Sequence, residues 1–135
     1  MTAEPRWLTR LEVDTFHDAE VRRNGGLPGL RDDGAVESAL ARPQQKWAYG
    51  TPDLADLAAA YGFGLAKNHG YLDGNKRIGF LALATFLDLN GQDLVATEPE
   101  AVTVMLGVAS GELGEAELAV WIRRSVTPRA ENAPR

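Results

Sequence analysis

The sequence contains no cysteine, which excludes disulfide bonds, thiol nucleophiles and zinc sites built on thiolates. It has only two histidines, His17 and His69, so a metal centre made of several imidazoles is excluded as well. Basic residues are in the minority, with 14 lysines and arginines against 19 acids and a net charge of -5. This sign of charge disfavours direct binding to nucleic acid or to an anionic membrane surface.

Long apolar runs are missing too. The longest, residues 78–87, is interrupted by Thr85 and followed by Asp88. It is far shorter than the ~20 residues that a membrane-spanning helix needs. The N-terminus carries no apolar signal core. These absences predict a protein without membrane attachment, located in the cytoplasm.

Helical periodicity is present over most of the 135 residues. Capping boxes formed by Thr9 with Glu12 and by Thr97 with Glu100, together with helix breakers, divide the chain into six predicted helices. Residues 78–89 are apolar on every side, which is typical of a helix surrounded by others. The sequence therefore predicts one all-α domain, a compact helical bundle around this central helix. We expect the domain to span residues 1–126 and the polar segment 127–135 to be a disordered tail.

One stretch has no clear period. Residues 44–50 follow Pro43, which is expected to end or kink the second helix, and they contain Trp47 and Tyr49. The sequence predicts an irregular or extended flap here.

Chemically versatile residues are concentrated in one loop, His69-Gly-Tyr-Leu-Asp-Gly-Asn-Lys-Arg77, between two apolar helices. Each has an ordinary structural interpretation, such as a turn at Asp73-Gly74, a helix cap at Asn75 or solvated cations. The second of these helices is predicted to be buried, however, so it begins near the middle of the fold. Two adjacent cations in that position require an anionic partner.

The same loop has the features of a phosphate site. The first turn of a helix offers unpaired N–H groups, and Gly74 permits the positive φ that lets the backbone approach an anion. Lys76 and Arg77 suit phosphate oxygens, and Asp73 is a hard oxygen ligand for Mg²⁺. His69 is the best general base that the chain offers at neutral pH. Together these residues predict phosphoryl or nucleotidyl transfer.

Residues 69–77 match in full the pattern His-x-[Phe/Tyr]-x-Asp-[Gly/Ala]-Asn-Lys-Arg, and with it the sequence resembles the Fic/Doc family, in particular its Doc (death on curing) toxin branch. The glycine-rich segment 25–30 and the segment 86–91 extend the resemblance to about residues 6–126. The resemblance implies a Fic/Doc-like helical fold. It also implies that His69 deprotonates a hydroxyl group of a target protein.

Further roles are implied for the neighbours of His69. Tyr71, where the family usually has phenylalanine, would pack inward and hold the loop. Asp73 would bind Mg²⁺. The phosphates of ATP would be bound by the backbone around Gly74 and by three side chains, those of Asn75, Lys76 and Arg77.

Two positions favour the Doc branch over the adenylylating members of the family. Those members carry glycine where this chain has Lys76, and usually a second arginine where it has Phe80. The resemblance then implies a kinase that transfers the terminal phosphate of ATP to a threonine of elongation factor Tu and so stops translation. It also implies a prevents-host-death antitoxin as partner.

Three interpretations of the activity stay open. The first is the kinase, the second is an adenylylating enzyme that would share the fold and transfer AMP, and the third is a binding module that would keep the anion site without turnover. Family members use the segment ahead of the motif helix to dock a target, so Trp47 and Tyr49 are candidates for a target flap; a packed aromatic pair is the alternative. His17, on the first helix, is interpreted as structural, with the glycine-rich segment as its expected partner.

Overall fold

The structure of the protein is a computed structural model that describes residues 3–129. This part of the chain forms six helices and one two-stranded sheet, so the predicted helical fold is confirmed, with a small sheet added. The elements are α1 (Arg10–Asn24), α2 (Asp33–Tyr49), α3 (Leu54–Asn68), α4 (Asn75–Leu89), β1 (Gln92–Leu94), α5 (Glu98–Ser110), α6 (Glu115–Ser125) and β2 (Val126–Pro128). Within the described residues, none of the helices combines the length and the apolarity needed to cross a membrane.

Side chains cap the start of four helices, as the sequence pattern predicts for two of them. The capping residues of α1, α2, α3 and α5 are Thr9, Asp32, Asp53 and Thr97. At α1, Thr9 and Glu12 form the predicted reciprocal capping box. Helices α4 and α6 differ, because they begin after Gly74 and Gly114 without a side-chain cap.

The centre of the core is the contact between α3 and α4. Their largest fully buried side chains are Leu57, Tyr61, Leu65, Ile78, Leu83, Phe86 and Leu87. Two glycines let the backbones approach closely, since a Cβ atom added at Gly79 would lie 2.9 Å from the carbonyl oxygen of Gly62. Helix α4 is therefore the predicted central helix, and its start is fixed relative to the end of α3.

The prediction of an irregular flap is wrong for residues 44–49, because α2 continues through Pro43 to Tyr49. Helix α2 packs one face against the core, and the residues of this face keep helical spacing on both sides of the proline: Val36, Leu40, Pro43 and Trp47. Trp47 also packs edge-on against Trp7, with ring centroids 6.3 Å apart. Burial of this continuous face outweighs the one backbone hydrogen bond that Pro43 removes.

The C-terminal boundary also differs from the prediction. Thr127 and Pro128 were expected in a disordered tail, but they belong to β2, which pairs antiparallel with β1. Arg129 then makes an ion pair with Asp88 at 3.0 Å. Main-chain pairing and this ion pair hold the segment against the end of α4. The rest of the predicted tail, residues 130–135, lies outside the described part of the chain.

Candidate active site

His69 stands at the junction between α3 and the loop that leads to α4. It has φ 51° and ψ 47°, and no other non-glycine residue of the described chain has a positive φ. Its side chain is exposed and makes no hydrogen bond or ion pair with the described residues. A strained backbone that presents an unpartnered imidazole is typical of a functional residue.

The start of α4 is the candidate anion site. Gly74 has φ 76°, the predicted left-handed conformation. Because no side chain caps the helix, the N–H groups of its first turn stay available to a ligand. The positive end of the helix dipole lies at the same place. We call this feature, the backbone of residues 74–77, the anion cup.

Asp73 lies beside the anion cup with an exposed carboxylate. Its two oxygens accept hydrogen bonds from the backbone N–H of Gly74, at 2.9 Å, and of Leu27, at 3.3 Å. These hydrogen bonds hold the pKa of the Asp73 carboxyl below its ordinary value. The carboxylate is therefore ionised at neutral pH, as a metal ligand must be.

Two cations border the anion cup. Lys76 is exposed, and the guanidinium of Arg77 donates a hydrogen bond to the carbonyl oxygen of Gly25 at 3.3 Å. Both residues line a cavity of about 570 Å³ to which α1, α4 and α5 contribute, and Phe80 lines it further along α4. The cavity lining therefore combines the two cations of the cup with apolar side chains of α4 and α5.

Asn75 does not have the predicted position. Its amide is buried, with Oδ1 accepting from the N–H of Tyr71 at 3.1 Å and Nδ2 donating to the carbonyl of Tyr71 at 3.0 Å. Both ends of the side chain are used to close the loop onto itself. The structure therefore does not present this amide to a phosphate, and Asn75 contributes to the cup through its backbone.

Tyr71 packs inward, as the resemblance implied. Its ring stacks on that of His17, with centroids 3.9 Å apart, and its hydroxyl donates to Asp14 at 2.6 Å. Burial raises the pKa of the Tyr71 hydroxyl, which keeps it protonated as a donor. His17 is structural, but its Nε2 bonds to the carbonyl of Asp73 at 2.8 Å rather than to the glycine-rich segment.

Substitution of Tyr71 by phenylalanine is expected to lower the free energy of unfolding by about 1 kcal/mol, because it removes one hydrogen bond without opening a cavity. The cost is small since Asp14 is 42% exposed and water can replace the lost donor. Urea denaturation measures the difference. Tyr49→Phe is the matched control, because Tyr49 is 90% exposed. Equal stabilities of the two variants would show that the Tyr71 hydroxyl contributes nothing.

The glycine-rich segment forms a wall of the site that the sequence did not reveal. It contacts the motif loop through main-chain bonds, from Leu72 N–H to the Gly29 carbonyl at 3.1 Å and from Arg31 N–H to the Gly70 carbonyl at 2.9 Å. Gly26 is needed at the contact, since its φ is 116° and an added Cβ would lie 3.0 Å from an oxygen of Asp73. The only signal in the sequence was the clustering of glycines after α1.

The structure does not bring Trp47 and Tyr49 to His69. The start of α2 is near the motif loop, since Asn68 donates to the carbonyl of Ala35 at 3.0 Å. Tyr49 lies fourteen residues further along the helix, which is about 21 Å at 1.5 Å per residue. Both aromatic residues therefore lie toward the far end of α2, where Trp47 packs against the core, and their role in docking a target stays a prediction.

The helical fold and the motif loop are those expected of a Fic/Doc protein. Residues 7–87 match the Fic/DOC family, so the chain belongs to the Fic/Doc family. It is 35% identical over 120 residues to the protein kinase doc of Escherichia phage P1, a match covering 88% of this chain and 94% of that protein. It is 47% identical over 75 residues to the toxin Doc of Mycolicibacterium smegmatis, covering 53% and 57% of the two chains. The chain is a Doc-like protein kinase, and the resemblance to the Doc branch is confirmed.

Proposed function

We propose that this protein is the toxin of a type II toxin–antitoxin pair and that it transfers the γ-phosphate of ATP to a serine or threonine hydroxyl of a protein. The observation that carries the proposal is the placement of an exposed, unpartnered imidazole one short loop away from an uncapped helix start flanked by Lys76 and Arg77. Elongation factor Tu is the target that the resemblance to Doc toxins implies.

In the proposed reaction, His69 takes the proton of the target hydroxyl while the hydroxyl oxygen attacks the γ-phosphorus. A new P–O bond forms, the bond to the bridging oxygen of the β-phosphate breaks, and ADP leaves. The backbone N–H groups of residues 75–77 and the guanidinium of Arg77 stabilise the negative charge on the phosphate oxygens.

The cavity beside the cup supports transfer of phosphate rather than AMP. Its apolar wall includes Phe80, Leu81 and Met105, which suit a nucleoside but not a charged phosphate. We propose that the nucleoside lies against this wall and the phosphates on the cup, with the terminal phosphate toward His69. Phe80 in place of a second arginine thus fits a kinase.

The residues at the cup fit a Mg²⁺ ion bound together with ATP. Among the described residues, no group of three or more histidines and acids is arranged to hold a metal alone. Mg²⁺ is usually held by one or two carboxylates together with phosphate oxygens, and Asp73 supplies one ionised carboxylate beside the cup. We therefore assign the Mg²⁺ ligand role to Asp73. The ion would neutralise charge on the phosphates.

The biological setting follows from the resemblance. A toxin of this branch acts in the cytoplasm and is paired with a prevents-host-death antitoxin, and we propose both for this protein. The net charge of -5 is compatible with an antitoxin segment that carries positive charge.

The decisive experiment offers the protein α-labelled or γ-labelled ATP together with elongation factor Tu. We expect only the γ label to reach the target, whose intact mass then rises by one phosphate. Transfer of the α label would instead identify an adenylylating enzyme. ATP binding without transfer of either label would identify a binding module, or a different target.

Removal of Mg²⁺ is expected to abolish labelling from ATP, because the phosphates then lose the cation that neutralises them. Asp73→Asn should have a similar effect at limiting Mg²⁺, since the amide keeps the shape of the side chain but loses its charge. The assay is run in chelator and again after Mg²⁺ is restored, which should recover the wild-type activity. Labelling that persists in chelator would contradict the role of Asp73.

A further inference from the structure

Glu20 is an acidic residue of α1 that lies beside the proposed phosphate site and has no role in the reaction described so far. Its side chain is only 14% exposed, and Oε1 lies 4.0 Å from Nε of Arg77. The amide of Asn24, one turn further along α1, donates to the same oxygen. Glu20 and Asn24 also line the cavity next to the anion cup. A mostly buried carboxylate is thus fixed in place and directed at one phosphate-binding cation.

The guanidinium of Arg77 is held on more than one side. Its Nε edge is next to Glu20, and Nη2 donates to the carbonyl of Gly25. The guanidinium also lies against the cup, since a Cβ atom added at Gly74 would be 3.5 Å from Nη2. An arginine side chain loses considerable rotamer freedom when it is ordered, so contacts that order it in advance favour ligand binding.

We propose that Glu20 is a positioning residue for phosphate transfer, which acts through Arg77 by holding its Nε edge toward α1 so that the remaining N–H groups are directed at the phosphates. This inference rests on the proposed function of the anion cup. At 4.0 Å the contact is an ion pair and not a hydrogen bond, so Glu20 acts on Arg77 through its charge and does not occupy the N–H groups of the guanidinium.

The test is Glu20→Gln, which removes the charge and keeps the shape. We expect the KM for ATP and the Kd of ATP, measured by calorimetry, to rise about three- to tenfold, while kcat changes less than twofold. The physical reason is that a ground-state contact to the phosphates is weakened but His69 is untouched. Asp18→Asn is the matched control, because it removes one acid from the same helix at a side chain that is 61% exposed.

The same substitution is then made in an Arg77→Lys background, where we expect no further change in ATP affinity, since lysine has no fork to orient. Thermal unfolding of each variant verifies the fold. Unchanged or tighter ATP binding in Glu20→Gln would overturn the proposal, and tighter binding would show that Glu20 competes with the phosphates. An equal loss in the Arg77→Lys background would overturn it too. Transfer of AMP by the wild type would refute the proposed function but not this role, which is measured by ATP affinity.

Discussion

His69→Ala is expected to lower the rate of phosphate transfer by about 10²–10⁴-fold, the usual contribution of a general base. The imidazole is exposed and has no partner among the described residues, so its removal leaves the surrounding contacts unchanged. The loss should therefore appear in kcat, whereas the affinity for ATP should remain near that of the wild type, because the anion cup is intact.

Because the backbone of His69 is left-handed, a second variant that tolerates this conformation is tested beside His69→Ala. The φ of 51° at this position is unfavourable for alanine, whereas asparagine tolerates this conformation well. His69→Asn should therefore be as inactive as His69→Ala but more stable. Both are assayed for transfer from γ-labelled ATP and for growth arrest on expression. Growth arrest that persists in both variants would show that the protein acts by binding and not by catalysis.

Gly79→Ala is expected to lower the free energy of unfolding by about 1–3 kcal/mol, although alanine is intrinsically the better helix former. An added Cβ would lie 2.9 Å from the carbonyl oxygen of Gly62, and backbone atoms in a packed helix pair cannot yield as a flexible side chain does. Helices α3 and α4 would have to separate. Because His69 ends α3 and the anion cup begins α4, transfer activity should fall as well.

Gly34→Ala provides the control for Gly79→Ala. Gly34 is an exposed helical glycine near the start of α2, where an added Cβ meets only the side chain of Asp32, at 3.4 Å. Its replacement should be neutral or slightly stabilising. Urea denaturation of both variants measures the difference. A Gly79→Ala variant as stable as the wild type would mean that the close contact of α3 and α4 relaxes without cost.

Local signals predicted much of the fold. The capping box at Thr9 and Glu12, the cap at Thr97 and the uniformly apolar segment of α4 each depend on residues within one or two turns, so they are visible in the sequence. The predicted irregular segment after Pro43 failed for the opposite reason. There the burial of Trp47 against Trp7, forty residues away in the chain, outweighs the local effect of the proline.

The candidate site divides in the same way. The sequence by itself identified the motif loop as the candidate site and predicted the positive φ of Gly74, because both depend on the order of residues at a helix start. Only the tertiary structure decided that Glu20 faces Arg77 and that the glycine-rich segment forms a wall of the site. These outcomes depend on which polar partners the packed helices bring within hydrogen-bond or ion-pair distance, and the spacing of residues along the chain does not encode that.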